Sequence, residues 1–186
     1  MKTKFVLHGG FSREKAPTQE DDAFFQEMLK DAVQDVKVLL VYFAEREEKV
    51  QLRIGQDQEQ LNKNKGSRVL HFKVAAEETF IHDCAWADII YLHGGRTVKL
   101  MEALKKYQNM GQVFSGKIIA GDSAGANVLR HWFYSKNSKE IGEGLGILPL
   151  KIVVHYEDGI PNPLADVEPA LETLFLREYQ TVVQHY

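Results

Sequence analysis

Short runs of β-branched and aliphatic residues alternate along the chain with stretches in which apolar residues recur at helical spacing. The runs predict strands at 5–7, 38–42, 69–74, 89–92, 117–120 and 151–154. The stretches between them predict helices at 22–33, 77–86, 97–107, 124–133 and 164–179. A charged stretch follows the second predicted strand and extends to residue 65. Near-continuous apolar strands that alternate with helices indicate a mostly parallel sheet covered on both faces. We therefore predict an α/β protein, a three-layer α/β/α sandwich.

Composition narrows the class of protein without changing the fold. A chain of 186 residues predicts a single domain, 1–186, and its 44% apolar and 26% charged residues are globular values. No apolar run approaches the roughly 18 residues of a membrane span. The net charge is −3 and basic residues are interspersed with acidic ones, which argues against nucleic acid or anionic lipid as partners. The lone Cys84 excludes an internal disulfide, and no signal peptide is visible, so we expect a cytoplasmic protein.

Four loops follow the predicted strands and carry the polar and glycine residues typical of a site. They are 8–10 (HGG), 93–97 (HGGRT), 121–125 (GDSAG) and 155–158 (HYED). Because ligands of an open parallel sheet bind at the carboxyl ends of its strands, we expect the chemistry in these loops.

The third loop fits the pattern G-x-S-x-G between a strand and a helix, which is the context of a nucleophile elbow. Its glycines permit a tight turn that projects the Ser123 hydroxyl, and the N–H of Ala124 at the helix start faces a developing oxyanion. The alternative is a glycine turn in which Ser123 only caps a helix. Gly94 and Gly95 in the neighbouring loop are candidates for a second oxyanion donor, or for a simple turn.

A nucleophilic serine needs a base and an acid that orients it. His155 is the histidine at a strand end downstream of Ser123, although His8 and His93 also lie at strand ends. The orienting acid stays open among five residues: Asp122, Glu140, Glu143, Glu157 and Asp158. The histidines lack metal-ligand spacing and no phosphate-binding loop is present, so we predict neither metal nor cofactor.

Three segments together resemble the family of peptidase E (aspartyl dipeptidase) and cyanophycinase. They are 89–104 (IIYLHGGRTVKLMEAL), 121–128 (GDSAGANV) and 148–156 (LPLKIVVHY), which are similar to the family's glycine loop, serine elbow and catalytic-histidine segment. The resemblance implies a class I glutamine amidotransferase-like, flavodoxin-like fold. It also implies Ser123 as nucleophile, His155 as base, and Gly94 or Gly95 with Ala124 as oxyanion donors.

The chain departs from the family's pattern at several positions. The family's triad aspartate falls at Ser138, so we expect the third member elsewhere, with Glu140 as our candidate. The segment that reads an acidic side chain in aspartyl dipeptidases is not visible after Asp158. Arg96 replaces the usual asparagine of the glycine loop and is a candidate for binding a substrate carboxylate, beside Thr97 and Asn127 of the two shared motifs.

These observations favour a serine-type peptidase, dipeptidase-like, that acts on small peptides as a monomer or homodimer. One alternative is a non-catalytic binding or regulatory relative that has lost the triad acid. A small α/β esterase is the other, but His155 lies only 32 residues past Ser123, which leaves little room for its acid-bearing strand.

Overall fold

The computed structural model describes residues 2–11, 19–136 and 138–186. The strands in this part of the chain are β1 (Lys4–His8), β2 (Asp35–Val41), β3 (Val69–Val74), β4 (Ile89–Leu92), β5 (Ile118–Asp122), β6 (Arg130–Ser135), β7 (Glu140–Glu143), β8 (Leu148–Val153), β9 (Thr173–Phe175) and β10 (Thr181–His185). The helices are α1 (Gln19–Leu29), α2 (Glu47–Asn64), α3 (Phe80–Trp86), α4 (Thr97–Leu104), α5 (Met110–Val113) and α6 (Ala124–Val128).

The strands form two sheets. The larger has the order β10-β1-β5-β4-β2-β3, and all its pairings are parallel except that of β10 with β1. The smaller has the order β7-β6-β8-β9, with β7 antiparallel to its neighbour. The sequence-based prediction of an α/β fold with a mostly parallel sheet is therefore confirmed.

The four inner strands of the larger sheet are buried on both faces because alternate residues of each strand enter two separate hydrophobic clusters. In β1, Val6 packs on the face covered by α1 and α2, whereas Phe5 and Leu7 pack on the other face, against α3 to α6 and the smaller sheet. β2 and β4 show the same alternation. This two-sided burial explains why these strands appear in the sequence as unbroken apolar runs.

Two predicted helices are wrong. The helix predicted over 124–133 ends at Val128, and the aromatic-rich segment after it forms β6. The helix predicted over 164–179 does not form, and turns followed by β9 occupy this segment. Pro169 explains the second error, since a proline removes a backbone donor and disfavours helical geometry at the residue before it. That residue, Glu168, has a φ of 37°.

Parallel strands place their carboxyl ends at one edge of the sheet. The register pairs His8 at the end of β1 directly with Asp122 at the end of β5, and pairs Leu92 of β4 with Gly121. Three of the four loops that the sequence singled out therefore meet at this edge.

Candidate active site

Ser123 lies in a strained turn between β5 and α6. Its φ of 47° and ψ of −101° are sparsely populated for a residue with a side chain, as expected for a nucleophile elbow. The flanking glycines are required by close packing: a Cβ atom on Gly121 would lie 2.6 Å from the backbone of Gly125, and one on Gly125 would lie 2.0 Å from the carbonyl oxygen of Leu92. The turn leaves Ser123 only partly buried, with its side chain available for chemistry.

The structure brings Ser123 together with His155, as the sequence predicts. The Ser123 Oγ lies 2.9 Å from the Nε2 of His155, although the two residues are 32 positions apart. His155 follows β8 and also has a positive φ, 51°. This distance is that of a hydrogen bond between a nucleophile and its base.

A carboxylate that the sequence analysis did not name lies behind His155. The Oε1 of Glu178 is 3.2 Å from the Nδ1 of His155. Glu178 belongs to the loop between β9 and β10. When Nδ1–H donates to this carboxylate, Nε2 is left free to accept the hydroxyl proton of Ser123, which is the arrangement of a Ser-His-acid triad.

The expectation for Glu140 is corrected by this geometry. Glu140 is exposed at the start of β7, and in the described part of the chain it makes no hydrogen bond or ion pair with His155. Ser138, where the family pattern expects an aspartate, lies in the turn just before β7. The carboxylate that does contact His155, that of Glu178, comes from a different part of the chain.

The loop after β1, residues 8–10, connects the three segments that carry the triad, and we call it the β1 loop. The carbonyl of His8 accepts the N–H of Ser123, and the carbonyl of Gly9 accepts the N–H of His155. The carbonyl of Gly10 accepts the N–H of Tyr179, which is adjacent to Glu178 in the chain. Backbone hydrogen bonds of one glycine loop thus fix the relative positions of Ser123, His155 and the segment that carries Glu178.

A buried contact between His8 and Asp122 lies beneath the β1 loop. The Nδ1 of His8 lies 2.8 Å from the Oδ1 of Asp122, and the N–H of Gly10 is directed at the same nitrogen from 3.2 Å. The rings of Phe11 and Phe24 contact the imidazole, with centroids 4.2 and 4.7 Å from its own. Burial raises the pKa of Asp122, but the hydrogen bond and charge of His8, with other nearby histidines, outweigh burial and hold that pKa below its usual value.

The predicted oxyanion residues lie next to the elbow. Gly94 lies against Asp122, because a Cβ atom on Gly94 would be 2.5 Å from the Oδ2 of that residue. Gly95 has a φ of 147°, and a Cβ atom there would be 2.4 Å from the carbonyl oxygen of Ala44. Ala124 is buried at the first position of α6, where a backbone N–H has no helical partner.

The three predicted substrate-contacting residues differ in their exposure. Arg96 is exposed, and its guanidinium has no hydrogen bond or ion pair to any residue that the structure describes. Thr97 and Asn127 are 7% and 2% exposed, and the Nδ2 of Asn127 donates to the Oγ1 of Thr97 over 3.2 Å. Their burial places these two side chains in the packing between α4 and α6 rather than on an open surface.

A shallow pocket of about 450 Å³ opens beside Glu178 and is lined by Ala23 and by residues 177–180. At its rim Arg177 donates to both carboxylate oxygens of Asp158, over 2.6 and 2.7 Å. This ion pair connects the segment after His155 to the segment that carries Glu178.

Within residues 2–11, 19–136 and 138–186 no cluster of His, Cys, Asp and Glu side chains is placed to hold a metal ion. The helices of the same residues include none that is both long enough and apolar enough to cross a bilayer.

Glu178 was not predicted as a site residue because it lies inside a segment predicted to be helical. A signal was present: the residues of β9 and β10 are rich in β-branched and apolar side chains, and the polar residues 177–180 lie between them. That pattern indicates a strand, a loop and a strand. It would have placed Glu178 in a loop beside the other strand ends.

Comparisons with known proteins show the family and the fold of this chain. A family model described as peptidase family S51 matches residues 5–182. The crystal structure of a peptidase from an acI-B1 Actinobacterium superposes with a TM-score of 0.69 at 19% identity, over 99% of this chain and 84% of that one. A candidate peptidase E protein from Listeria monocytogenes EGD-e superposes with a TM-score of 0.61 at 14% identity, over the full length of both chains. At these identities the structural likeness concerns the fold. A search of curated proteins gives no significant match.

Proposed function

Because the chain belongs to peptidase family S51, we propose that it is a serine peptidase that hydrolyses short peptides through an acyl-enzyme on Ser123. The observation that carries the proposal is the 2.9 Å contact between the Oγ of Ser123 and the Nε2 of His155, made on a strained elbow at the edge of the sheet. Strain of this kind costs free energy and persists where function requires it.

In the first half-reaction Ser123 attacks the scissile carbonyl while His155 removes the hydroxyl proton at Nε2. The carbonyl oxygen becomes an oxyanion, which the backbone N–H groups of Ala124 and of Gly94 or Gly95 are placed to bind. His155 then gives its proton to the leaving amine as the C–N bond breaks. Glu178 stabilises the imidazolium that forms in between, since its carboxylate lies at Nδ1.

In the second half-reaction a water molecule attacks the acyl-enzyme. His155 takes a proton from the water, the oxyanion forms again at the same amides, and the ester bond to Ser123 breaks. The proton returns to the Oγ of Ser123, so that the enzyme is regenerated and a free carboxylate leaves.

Substrates with a carboxylate are favoured by the free guanidinium of Arg96. This residue follows the oxyanion glycines directly and lies exposed at the start of α4. An arginine can bind a carboxylate through two parallel hydrogen bonds, so we propose that short peptides with a free carboxyl group near the scissile bond are bound here.

The test is hydrolysis of a panel of dipeptides, acidic, neutral and basic at the first residue, by the wild-type protein and by Ser123→Ala. We expect cleavage by the wild type and a loss of at least about 10³-fold in the variant, because the nucleophile is removed. Cleavage that survives in Ser123→Ala would contradict the mechanism. If neither protein cleaves any member of the panel, the peptidase proposal is wrong and a binding role becomes the better explanation.

A further inference from the structure

His93 is a buried histidine beside the active site that takes no part in the proposed triad. It follows β4, is 8% exposed, and its Nδ1 lies 2.7 Å from the carbonyl oxygen of Gly94. A carbonyl oxygen only accepts hydrogen bonds, so Nδ1 must carry the proton and donate it. The side chain of His93 thereby holds the peptide group that joins Gly94 to Gly95.

Asp57 and Tyr42 surround the other side of the His93 ring. Its Nε2 lies 3.5 Å from the Oδ2 of Asp57 on α2, and the hydroxyl of Tyr42 donates to the same oxygen over 2.8 Å. The rings of Tyr42 and Tyr91 contact the imidazole, with centroids 5.0 and 5.9 Å away. All of these groups lie on the face of the sheet that α1 and α2 cover.

The direction of the Gly94 carbonyl determines the direction of the next amide. In a trans peptide the C=O and the following N–H point to opposite sides, and the structure has no cis peptide among the described residues. The Gly94 carbonyl is held toward α2 by His93. The N–H of Gly95 therefore points toward the opposite face, on which α6 packs directly behind Ser123.

Glycine alone would not fix this direction. The φ of Gly95 is 147°, in a region that glycine enters freely, and a peptide between two glycines can turn over at small cost. A hydrogen bond from a rigid, buried imidazole selects one of the two orientations. Preorganised donors are what make an oxyanion hole effective, because no reorganisation is then needed as charge develops.

We propose that His93, held by Asp57 and Tyr42, is a positioning residue that directs the N–H of Gly95 at the oxyanion. The role rests on the serine-peptidase function proposed above. It assigns the oxyanion donor of this loop to Gly95 rather than to Gly94. It also gives a function to a buried network that has no part in the triad.

Three substitutions of His93 separate positioning from packing. In His93→Asn the Nδ2 atom occupies nearly the place of Nδ1 and can still donate to Gly94. His93→Gln keeps a polar group near Asp57 but has no donor at the position of Nδ1. His93→Leu keeps only the apolar bulk of the side chain. We expect kcat for dipeptide hydrolysis to fall about 10²–10³-fold in His93→Gln and His93→Leu with KM changed less than about threefold, and to fall less than about tenfold in His93→Asn.

A second readout does not depend on the peptide substrate. A fluorophosphonate labels activated serines, and its phosphoryl oxygen lies in the oxyanion hole, so its labelling rate should rank the variants in the same order. Thermal unfolding of each variant identifies any that does not fold. If His93→Leu fails to fold, the labelling rates of His93→Asn and His93→Gln still test whether His93 positions the N–H of Gly95.

The outcomes are distinct. Labelling without dipeptide hydrolysis by the wild type overturns the proposed substrate class, and labelling rates that rank His93→Asn well above His93→Gln still support the role of His93. Equal rates for these two folded variants, or a faster His93→Leu, overturn that role even when the wild type is a peptidase. If the wild type is neither labelled nor active, Ser123 is not activated and both proposals are wrong.

Discussion

The α-carbon of Gly10 lies directly behind the imidazole of His155. A Cβ atom at this position would be 2.1 Å from the Cε1 and 2.4 Å from the Nε2 of that ring, and the φ of Gly10 is 111°. No side chain fits between the β1 loop and the base. The position of His155 relative to Ser123 therefore depends on the absence of a side chain at position 10.

Gly10→Ala should displace the imidazole and separate Nε2 from Ser123. Because a displacement of about 1 Å costs on the order of 10²-fold in rate, we expect dipeptide hydrolysis to fall by at least this factor. The measurement is kcat/KM together with the thermal melting of the variant. Gly55→Ala in α2 is the control, since a Cβ atom there meets nothing within 4 Å and should leave activity unchanged. Wild-type activity in a folded Gly10→Ala protein would contradict this account of the site.

Glu178→Gln removes the negative charge at the Nδ1 of His155 while keeping the size of the side chain. The imidazolium that forms during catalysis then lacks its partner, so we expect kcat to fall about 10²–10⁴-fold with a small change in KM. Glu140→Gln is the matched control, because Glu140 is exposed on β7 away from this contact. Steady-state kinetics of the two variants decides between the two glutamates. A larger loss of kcat in Glu140→Gln than in Glu178→Gln would support Glu140 as the acid, as the sequence predicts.

Asp57 should make the stability of the fold depend on pH near 6. Burial raises the pKa of Asp57 to about 6, against the opposing charge of His93 and the hydrogen bond from Tyr42, with smaller contributions from Asp122 and Arg53. A carboxyl with a higher pKa in the folded than in the unfolded chain binds its proton more tightly when folded. Its stabilising contribution is therefore complete below about pH 4 and is lost as the pH rises through about 6, and it amounts to roughly 3 kcal/mol.

Asp57→Asn removes this titration while keeping an acceptor for Tyr42. The free energy of unfolding, measured in urea at several pH values from 4 to 8, should rise for the variant relative to the wild type as the pH passes 6. Titrating groups that do not interact with Asp57 cancel in the difference between the two proteins. A difference that is constant over this pH range would show that Asp57 does not titrate there.

Arg130→Met should stabilise the protein. Arg130 is fully buried at the start of β6, and none of its three guanidinium nitrogens has a hydrogen-bond partner among the described residues. Burial lowers the pKa of Arg130 to about 10, so the group still carries its charge at neutral pH. An apolar side chain of similar length avoids the cost of a buried, unpaired charge, and we expect a gain of about 1–4 kcal/mol in the free energy of unfolding. Denaturant unfolding measures it, and a less stable variant would show that Arg130 has a compensating partner in solution.

Local sequence determined the inner strands of the larger sheet and the serine elbow. β4 begins and ends where its apolar run does, because a strand buried on both faces needs apolar residues at every position. The turn at Ser123 could be predicted from the sequence for a similar reason. Only glycine tolerates the contacts made at Gly121 and Gly125, so the steric requirement appears directly as a sequence pattern.

Tertiary structure decided which acid serves His155. Sequence proximity favoured Glu140 and its neighbours, yet Glu178, 23 residues beyond His155, makes the contact. It does so because β9 pairs with β8 and β10 pairs with β1, and these pairings bring the intervening loop to the carboxyl edge of the larger sheet. The free energy of such long-range pairings comes from packing and backbone hydrogen bonds between distant segments, and no local pattern encodes it. The sequence by itself therefore predicted Ser123 and His155 as candidates, whereas the fold brought Glu178 to His155 and positioned the buried groups around them.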